Sequence, residues 1–569
     1  LTTTQDAGLT STQLGSLTTA QAAGLSPVQI TALITSQNAG LTPVLIGSLT
    51  TTQEAGLTSV QIASLTSTAA SGFTSTQLSS LDLVNQFVGL TSTSVSGLTT
   101  SALTGLSSTQ IGALSTMQDA GLSSTQINWL TTTQDSGLSS TQINWLTTTQ
   151  DAGLSSTEIR GLTTDQYAGL TSTQINSLTT TQDAGLTSTQ LNSITTTQEA
   201  GLTSTQISYL TSTQTAGLTS TQLQAITVPT QLAGLTQAQI NALTMTQLYG
   251  LADDFNSLTI NQAVALPSFA LGVLSTSQIA ALTSVRIHYL TTLQMSVLSS
   301  TQISALTTTA LYGLTPTQLG SFSTTQESGL TTTQFSSLNS TQLSGLTSVQ
   351  VSSLTADDFS VLTSSQIVGL TTSAISGLTS AEITLLTLSQ ESGLTSTQIG
   401  ALSADQESIL STTQITSLAS SQASGLTSTE VLSLTTTQFS VLGSAQIVGL
   451  TTSGISGFSS TQINALTTTQ ECGLTSTQLG SFTTTQINSL TTTQVVALTT
   501  TQISGLTSTQ VSILTTTDQF SVLSSDQIAS LTTLGIIGLT ATQISALTTT
   551  QEVGLTSTQI TSVTLSLIH

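Results

Sequence analysis

The chain has 569 residues, of which 24 are acidic and only two, Arg160 and Arg286, are basic, so that the formal net charge is −22. Phosphate backbones and anionic lipid surfaces repel such a chain, which argues against nucleic acid as a partner. A single cysteine, Cys472, excludes an internal disulfide and an all-cysteine zinc site, and no apolar run is long enough to predict a membrane span.

An eight-residue repeat begins at Leu1 and continues to Val563 in 70 units. Each unit opens with Leu, or sometimes Phe or Ile, as in Leu-Thr-Ser-Thr-Gln-Ile-Asn-Ser at 170–177. We number the positions of a unit 1 to 8 from this residue. Three units have nine residues and one has seven: 81–89, 226–234, 514–522 and 251–257. No linker divides the chain, so we predict one continuous array over 1–569, which opens in mid-pattern and is expected to be a segment of a longer protein.

Two kinds of unit alternate along the chain. In the kind that we call acidic, position 6 is often Asp or Glu, followed by a small residue and Gly, as in Gln182-Asp183-Ala184-Gly185. In the other kind, which we call apolar, position 6 is usually Ile, Leu or Val. This alternation predicts a structural repeat of 16 residues.

The pattern within a unit predicts a very short helix. Position 2 is nearly always Thr or Ser and position 5 nearly always Gln, which is the capping box of a helix N-terminus, and positions 1 and 6 supply its hydrophobic staple. Pro27, Pro43 and Pro316 all follow position 2, at the first helical residue, where a missing N–H costs nothing. Gly at position 8, as at Gly185, is predicted to end the helix. Asp or Glu at position 6 is expected to interact favourably with the helix N-terminus.

Helices this short are stable only when they stack, so the predicted fold class is an all-α solenoid in which two units make one 16-residue coil. Its coils, about 35 in number, would form a rod roughly 280–350 Å long. The alternative is a β-solenoid with 16-residue coils, which the threonine content favours. A β-solenoid would stack Asp119, Asp135 and Asp151 about 4.8 Å apart. Stacked helices separate such groups by roughly 8–10 Å, and we therefore prefer the helical solenoid.

Candidate catalytic residues are few. A Ser-His-Asp or Cys-His site would need His288 or His569, the only histidines, together with partners that recur dozens of times. The sequence therefore predicts no enzyme, no catalytic residue, no metal site and no cofactor. Cys472 takes the place of a small residue, such as Ser392 in a comparable unit, and we interpret it as a substitution of that kind rather than as a reactive thiol.

Two acidic pairs, Asp253-Asp254 and Asp357-Asp358, are the candidates for weak calcium binding. Neither pair lies in a loop of alternating oxygen ligands. Because each pair is followed by Phe in the apolar position, we interpret both as variants of the helix cap.

Trp129 and Trp145 lie 16 residues apart, each after Ile-Asn. One interpretation is a stacking platform for a sugar ring. The interpretation that we prefer is two equivalent side chains packed on the surface of successive coils.

The segment Leu-Thr-Thr-Thr-Gln-Ile-Ser-Gly-Leu-Thr, which begins at Leu498, resembles the tandem arrays of very large, acidic, secreted or surface-displayed bacterial proteins of adhesin, sheath or matrix type. The resemblance covers essentially the whole chain and implies an extracellular or cell-surface location. A weaker resemblance is to bacterial ice-nucleation proteins, which also have 16-residue repeats with Ser-Thr-Gln segments.

A stack of this kind grows by duplication, needs no active site and presents many identical patches. We therefore expect an extracellular structural repeat protein that forms a rod, filament or sheath, with an acidic, hydroxyl-rich surface and lateral or end-to-end self-association into homo-oligomers. The alternative function is a repetitive surface that displays binding sites for glycans or ice. Neither function requires nucleic acid or membrane insertion.

Overall fold

The computed structural model describes residues 2–226, 230–251, 255 and 257–568. Within these residues every regular element is a helix, and none is a strand. The chain forms two compact halves, Leu1–Leu274 and Ser275–His569, which use the same packing. The prediction of an all-α solenoid is confirmed, and the β-solenoid alternative is wrong. One array over 1–569 stays a prediction.

Most of the described helices begin with the predicted capping box. In the unit that starts at Leu170, the backbone N–H of Gln174 donates to Thr171 Oγ1 at 3.2 Å, and the N–H of Thr171 donates to Gln174 Oε1 at 2.8 Å. Thr171 has an extended backbone, and the helix runs over Ser172–Ser177. Two of the N–H groups that a helix start leaves without partners are thereby satisfied inside one unit.

The prolines confirm the register, because Pro27, Pro43 and Pro316 each occupy the first residue of a helix. In the first half the α-helices are Thr3–Asp6, Ser11–Gly15, Thr19–Ala23, Pro27–Thr31, Thr35–Asn38, Pro43–Ser48, Thr51–Glu54, Ser59–Ala63, Ser67–Ala70, Ser75–Ser80, Ser92–Gly97, Thr100–Leu103, Ser108–Ala113, Thr116–Asp119, Ser124–Asn128, Thr132–Asp135, Ser140–Trp145, Thr148–Asp151, Ser156–Gly161, Thr164–Tyr167, Ser172–Ser177, Thr180–Asp183, Ser188–Ser193, Thr196–Glu199, Ser204–Tyr209, Ser212–Thr215, Ser220–Ala225, Gln237–Asn241, Met245–Leu251 and Ile260–Ala265. Short 3₁₀-helices run over Phe87–Gly89, Leu232–Gly234 and Ser268–Val273.

The second half repeats the pattern and ends in a longer helix. Its α-helices are Thr276–Ala280, Ser284–Tyr289, Thr292–Met295, Ser300–Ala305, Thr308–Leu311, Pro316–Gly320, Thr324–Glu327, Thr332–Ser337, Ser340–Leu343, Ser348–Ser353, Ala356–Ser360, Ser364–Ile367, Thr372–Ile375, Ser380–Leu385, Leu388–Glu391, Ser396–Ile399, Ala404–Ser408, Thr412–Ser417, Ser420–Ala423, Ser428–Ser433, Thr436–Ser440, Ser444–Gly449, Thr452–Ile455, Ser460–Asn464, Thr468–Glu471, Ser476–Gly480, Thr484–Asn488, Thr492–Ala497, Thr500–Ile503, Ser508–Ser512, Ser525–Ser530, Thr533–Ile536, Ala541–Ser545, Thr549–Gly554 and Ser557–Ile568.

Stacked helices belong to units that are three apart. The helix Ser140–Trp145, for example, packs against Thr116–Asp119 on one side and Thr164–Tyr167 on the other. Side-chain hydrogen bonds between regular stacked units join residues 23 to 31 positions apart, as from Asn38 to Gln61 and from Gln174 to Ile143. One coil therefore takes a little more than three units.

The predicted coil of two units is consequently wrong, and the rod length that was calculated from 35 such coils no longer follows. The 16-residue period records the alternation of two kinds of unit, not the length of a turn. Because three is an odd number, an acidic unit stacks on apolar units, and residues 16 apart, such as Asp119 and Asp135, do not lie on directly stacked helices.

Glycine at position 8 of the acidic units permits close packing between coils. The helix Thr180–Asp183 ends before Gly185, as predicted. A Cβ on Gly185 would lie only 2.0 Å from the carbonyl oxygen of Ser156, three units earlier, and the φ angle of Gly185 lies outside the left-handed region. Glycine is therefore needed because a neighbouring backbone approaches closely, and not because of a special backbone conformation.

The nine-residue units absorb their extra residue in the cap. In 81–89 the N–H of Asp82 donates to Gln86 Oε1 at 3.1 Å across four residues rather than three. Gln86 Nε2 still reaches the preceding coil and donates to the carbonyl oxygens of Glu54 at 2.8 Å and Leu57 at 2.9 Å. The extra residue is a local bulge, as expected. Residues 227–229, 252–254 and 256, in two other irregular units, lie outside the described residues.

Candidate functional site

The side chains at position 6 lie in the core of each coil, and in the acidic units this places a carboxyl group there. We call ten of these groups the core carboxyls, and each is at most 2% exposed: Glu54, Asp119, Asp135, Asp151, Asp183, Glu199, Glu327, Glu391, Glu407 and Glu471. Isolated carboxylates are strongly disfavoured in such surroundings. These groups lie in the first turn of their helices, as expected, but the coil turns position 6 inward.

Four core carboxyls have no hydrogen-bond partner on either oxygen: Asp135, Glu199, Glu407 and Glu471. Burial, with a smaller contribution from the nearby Glu430, raises the pKa of Glu407 to about 9. Burial also raises the pKa of Glu199 to about 8 and that of Glu471 to about 7. Desolvation is the main cause of these pKa shifts, because the surroundings supply neither a cation nor a hydrogen-bond donor that would stabilise the charged carboxylate.

Three other core carboxyls accept a hydrogen bond from a serine 26 residues later in the chain. Ser353 Oγ donates to Glu327 Oε2 at 2.9 Å, and Ser417 Oγ donates to Glu391 Oε2 at 2.7 Å. In the same way, Ser80 Oγ donates to Glu54 Oε2 at 3.2 Å. These bonds oppose the effect of burial only in part, because burial still raises the pKa of Glu327 to about 8 and that of Glu391 to about 7.

The predicted acidic surface is therefore wrong in part. Besides the core carboxyls, four acidic residues at position 5 are buried: Glu158, Asp358, Glu382 and Glu430. The acidic side chains that are exposed are Asp82, Asp165, Asp357, Asp405, Asp518, Asp526 and Glu552. Most of the acidic groups lie inside the stack, and the outer surface is dominated by the hydroxyl groups of Thr and Ser.

An open polar groove of about 550 Å³ lies between two stacked units in the first half. Ser140, Thr141 and Asn144 line one side, and Asp165, with the chain at 168–169, lines the other. Asn144 Nδ2 donates to the carbonyl oxygen of Gly169 at 2.9 Å. Hydroxyl, amide and carboxylate groups thus converge on one accessible surface.

Trp129 and Trp145 are 58% and 66% exposed. Both lie at the C-terminal end of their helices, and Trp145 directly follows Asn144 of the groove. Their units are two apart, whereas stacked units are three apart. The interpretation that these side chains pack on successive coils is therefore wrong.

Asp358 takes part in the helix cap, as predicted for its pair. It occupies the place of the usual Gln and accepts from Thr355 Oγ1, while Asp357 is exposed. Asp253 and Asp254 lie outside the described residues. In the part of the chain that the structure describes, no group of three or more His, Cys, Asp or Glu side chains is placed to share a metal ion.

Cys472 and His288, which a Cys-His site would require, lie far apart in the sequence. His288 is exposed on the helix Ser284–Tyr289 and its ring makes an edge contact with Tyr289 at 5.2 Å between centroids. Cys472 is a free, exposed thiol that follows the helix Thr468–Glu471. His569 lies outside the described residues.

The interaction that the sequence analysis missed is made by the side-chain amide of Gln at position 5. Gln174 Nε2 donates to the carbonyl oxygens of Ile143 at 2.8 Å and Leu146 at 3.0 Å in the preceding coil. The same pair of bonds recurs along both halves. The near-invariance of Gln, where Glu would cap as well, was the available signal, because only Gln carries a donor.

A family model described as the ALTTAQ repeat matches residues 149–180, and with the regular array of short helices this shows a tandem-repeat protein. No curated protein and no solved structure matches the chain. Among the described helices, none is both long and apolar enough to cross a membrane.

Proposed function

We propose that this chain is a structural segment of an extracellular rod, filament or sheath, and that it associates with further copies of itself. The proposal is supported by the regularity of the stack, in which the same Gln donors join coil to coil in both halves. Repeats that contact only their stacked neighbours add length without requiring a reactive site. The exposed Thr and Ser side chains offer many equivalent surfaces for lateral contact.

Self-association is tested by sedimentation velocity and negative-stain imaging of the purified chain over a hundredfold range of concentration. Growth of bundles or polymers with concentration supports the proposal, and persistent monomers contradict it. Leu293→Thr with Leu534→Thr is the control, since these side chains are 65% and 74% exposed at a position usually occupied by Thr. Assembly that disappears in the control reflects stray apolar contacts rather than the repeat.

Extracellular location is tested through Cys472, whose thiol is exposed and is the only one in the chain. A maleimide that does not cross membranes should label the protein on intact source cells to the same extent as in lysed cells. Cys472→Ser gives the background. Labelling only after lysis would contradict the proposed location.

A glycan-binding surface is the second candidate function, and the groove that contains Asn144 and Asp165 favours it. Exposed aromatic rings stack on sugars, and amide and carboxylate groups bind their hydroxyls. A glycan array followed by titration tests it. Trp145→Ala and Asp165→Asn should each weaken binding at least tenfold. Trp129→Ala is the matched control, because Thr149 takes the place of Asp165 in the unit that stacks on that of Trp129. Thermal-hysteresis measurements test the ice-binding alternative.

A further inference from the structure

We propose that the core carboxyls form a pH-sensitive lock, in which the coils stack tightly while these groups carry protons and separate when the protons are lost. The proposal goes beyond the structural function and does not depend on the location of the protein. It rests first on geometry, because carboxyl groups are placed inside the interface between coils without counter-charges.

Glu407 shows the arrangement in the second half. Its side chain is 0% exposed, and neither oxygen has a hydrogen-bond partner. The helix that packs on it, Ser428–Ser433, contributes Glu430, and the helix three units earlier carries Glu382. Asp405, on the same helix as Glu407, is exposed. Every charged group around Glu407 is therefore acidic.

Asp135 shows the same arrangement in the first half. Its helix packs against Ser108–Ala113, which carries no charged residue, and against Ser156–Gly161. The latter helix contributes the buried Glu158 and the exposed Arg160. An ionised Asp135 would face Glu158 inside the core, and like charges at close range oppose each other.

The direction in which pH changes the stability of the coil contact follows from the pKa shift of each core carboxyl. Burial raises the pKa of Glu407 to about 9 and that of Asp135 to about 7, both above the values of an unfolded chain. The folded state therefore binds more protons than the unfolded state at pH values between the unfolded pKa of each group and its raised folded pKa. The stability that is fully present below the unfolded pKa, about 4, is lost as the pH rises through 7 to 9.

Hydrogen exchange of the full chain, followed by mass spectrometry from pH 5 to 9 and corrected for intrinsic rates, tests the proposal. In peptides that cover residues 402–434, the opening constant should rise by about tenfold per pH unit for each group that ionises. Glu407→Gln is neutral at every pH and has the same shape. It should remove much of this rise, protect the peptides better than the native chain at pH 8.5, and match the native chain at pH 5.

Asp405→Asn, an exposed change on the same helix, is the matched control and should leave the pH dependence unaltered. Glu471→Gln, read in peptides over residues 466–498, is a second variant in case Glu407→Gln does not fold. An unchanged pH dependence in both Gln variants would overturn the proposal. So would full recovery of the native chain at pH 8.5 on adding Ca²⁺ or Mg²⁺, because a cation rather than a proton would then neutralise the core.

Discussion

Gln174 donates from Nε2 to the carbonyl oxygen of Leu146, 28 residues earlier, at 3.0 Å. The Oε1 atom of the same amide accepts from the N–H of Thr171 at 2.8 Å. One side chain thus closes the cap of its own helix and joins that helix to the preceding coil. This double use explains why the repeat is so strict at position 5.

Gln174→Ala should cost more than loss of the cap alone. Thr171→Ala removes one cap acceptor and should cost about 1 kcal/mol. Gln174→Ala also leaves the buried carbonyl oxygen of Leu146 without a donor, whereas that of Ile143 keeps the N–H of Leu146 at 3.2 Å, and the variant should cost about 2–4 kcal/mol in total. Thr173→Ala is the control, because Thr173 is exposed, and should change stability by less than about 0.5 kcal/mol. Local hydrogen exchange over residues 138–178 measures the three effects, and equal effects at all three positions would contradict the assignment.

Gly185→Ala should destabilise the coil contact. The added Cβ would meet the carbonyl oxygen of Ser156 at 2.0 Å, so that the two coils must separate. Overpacking of this kind costs about 1–3 kcal/mol. Gly161→Ala is the control, because its Cβ would make ordinary contacts with the Thr132 side chain, at 3.5 Å from Cγ2 and 3.7 Å from Cβ. Urea titration followed by circular dichroism should show loss of stability for Gly185→Ala and none for Gly161→Ala.

Tyr167→Phe should leave stability unchanged or raise it by about 1 kcal/mol. The ring of Tyr167 is 0% exposed and its hydroxyl group has no hydrogen-bond partner. Burial, with a contribution from Asp183, raises the pKa of this hydroxyl, which therefore stays neutral. Thermal melting compares this variant with Tyr209→Phe, an exposed position that should show no change. A clear loss of stability in Tyr167→Phe alone would show that the hydroxyl is bonded.

Deletion of Val84 should be tolerated, because it turns the nine-residue unit 81–89 into an ordinary one. The shortened unit places Asp82 at the N-cap and Gln86 three residues later, which is the usual capping box. Val84 itself is 76% exposed. Deletion of Thr173 from a regular unit is the matched control and should reduce the melting temperature, since the chain is then too short for both the cap and the coil contact. Similar losses in the two deletions would contradict the bulge.

The sequence by itself determined every feature that depends on groups within one unit. The capping box of Thr171 and Gln174, the first-residue prolines and the buried Leu at position 1 were all predicted, because these interactions act over a few residues along the chain. The exposed Trp145 and the cap role of Asp358 could be placed on their helices for the same reason.

Only the tertiary structure decided how many units make one coil. A 16-residue alternation is compatible with coils of two units or of three, since it describes the order of side chains and not the angle between successive helices. That angle results from contacts between residues 23 to 31 positions apart, such as the hydrogen bond from Gln174 to Ile143. The burial of Asp135 and the need for glycine at 185 follow from it, because both depend on how closely one coil lies against the next.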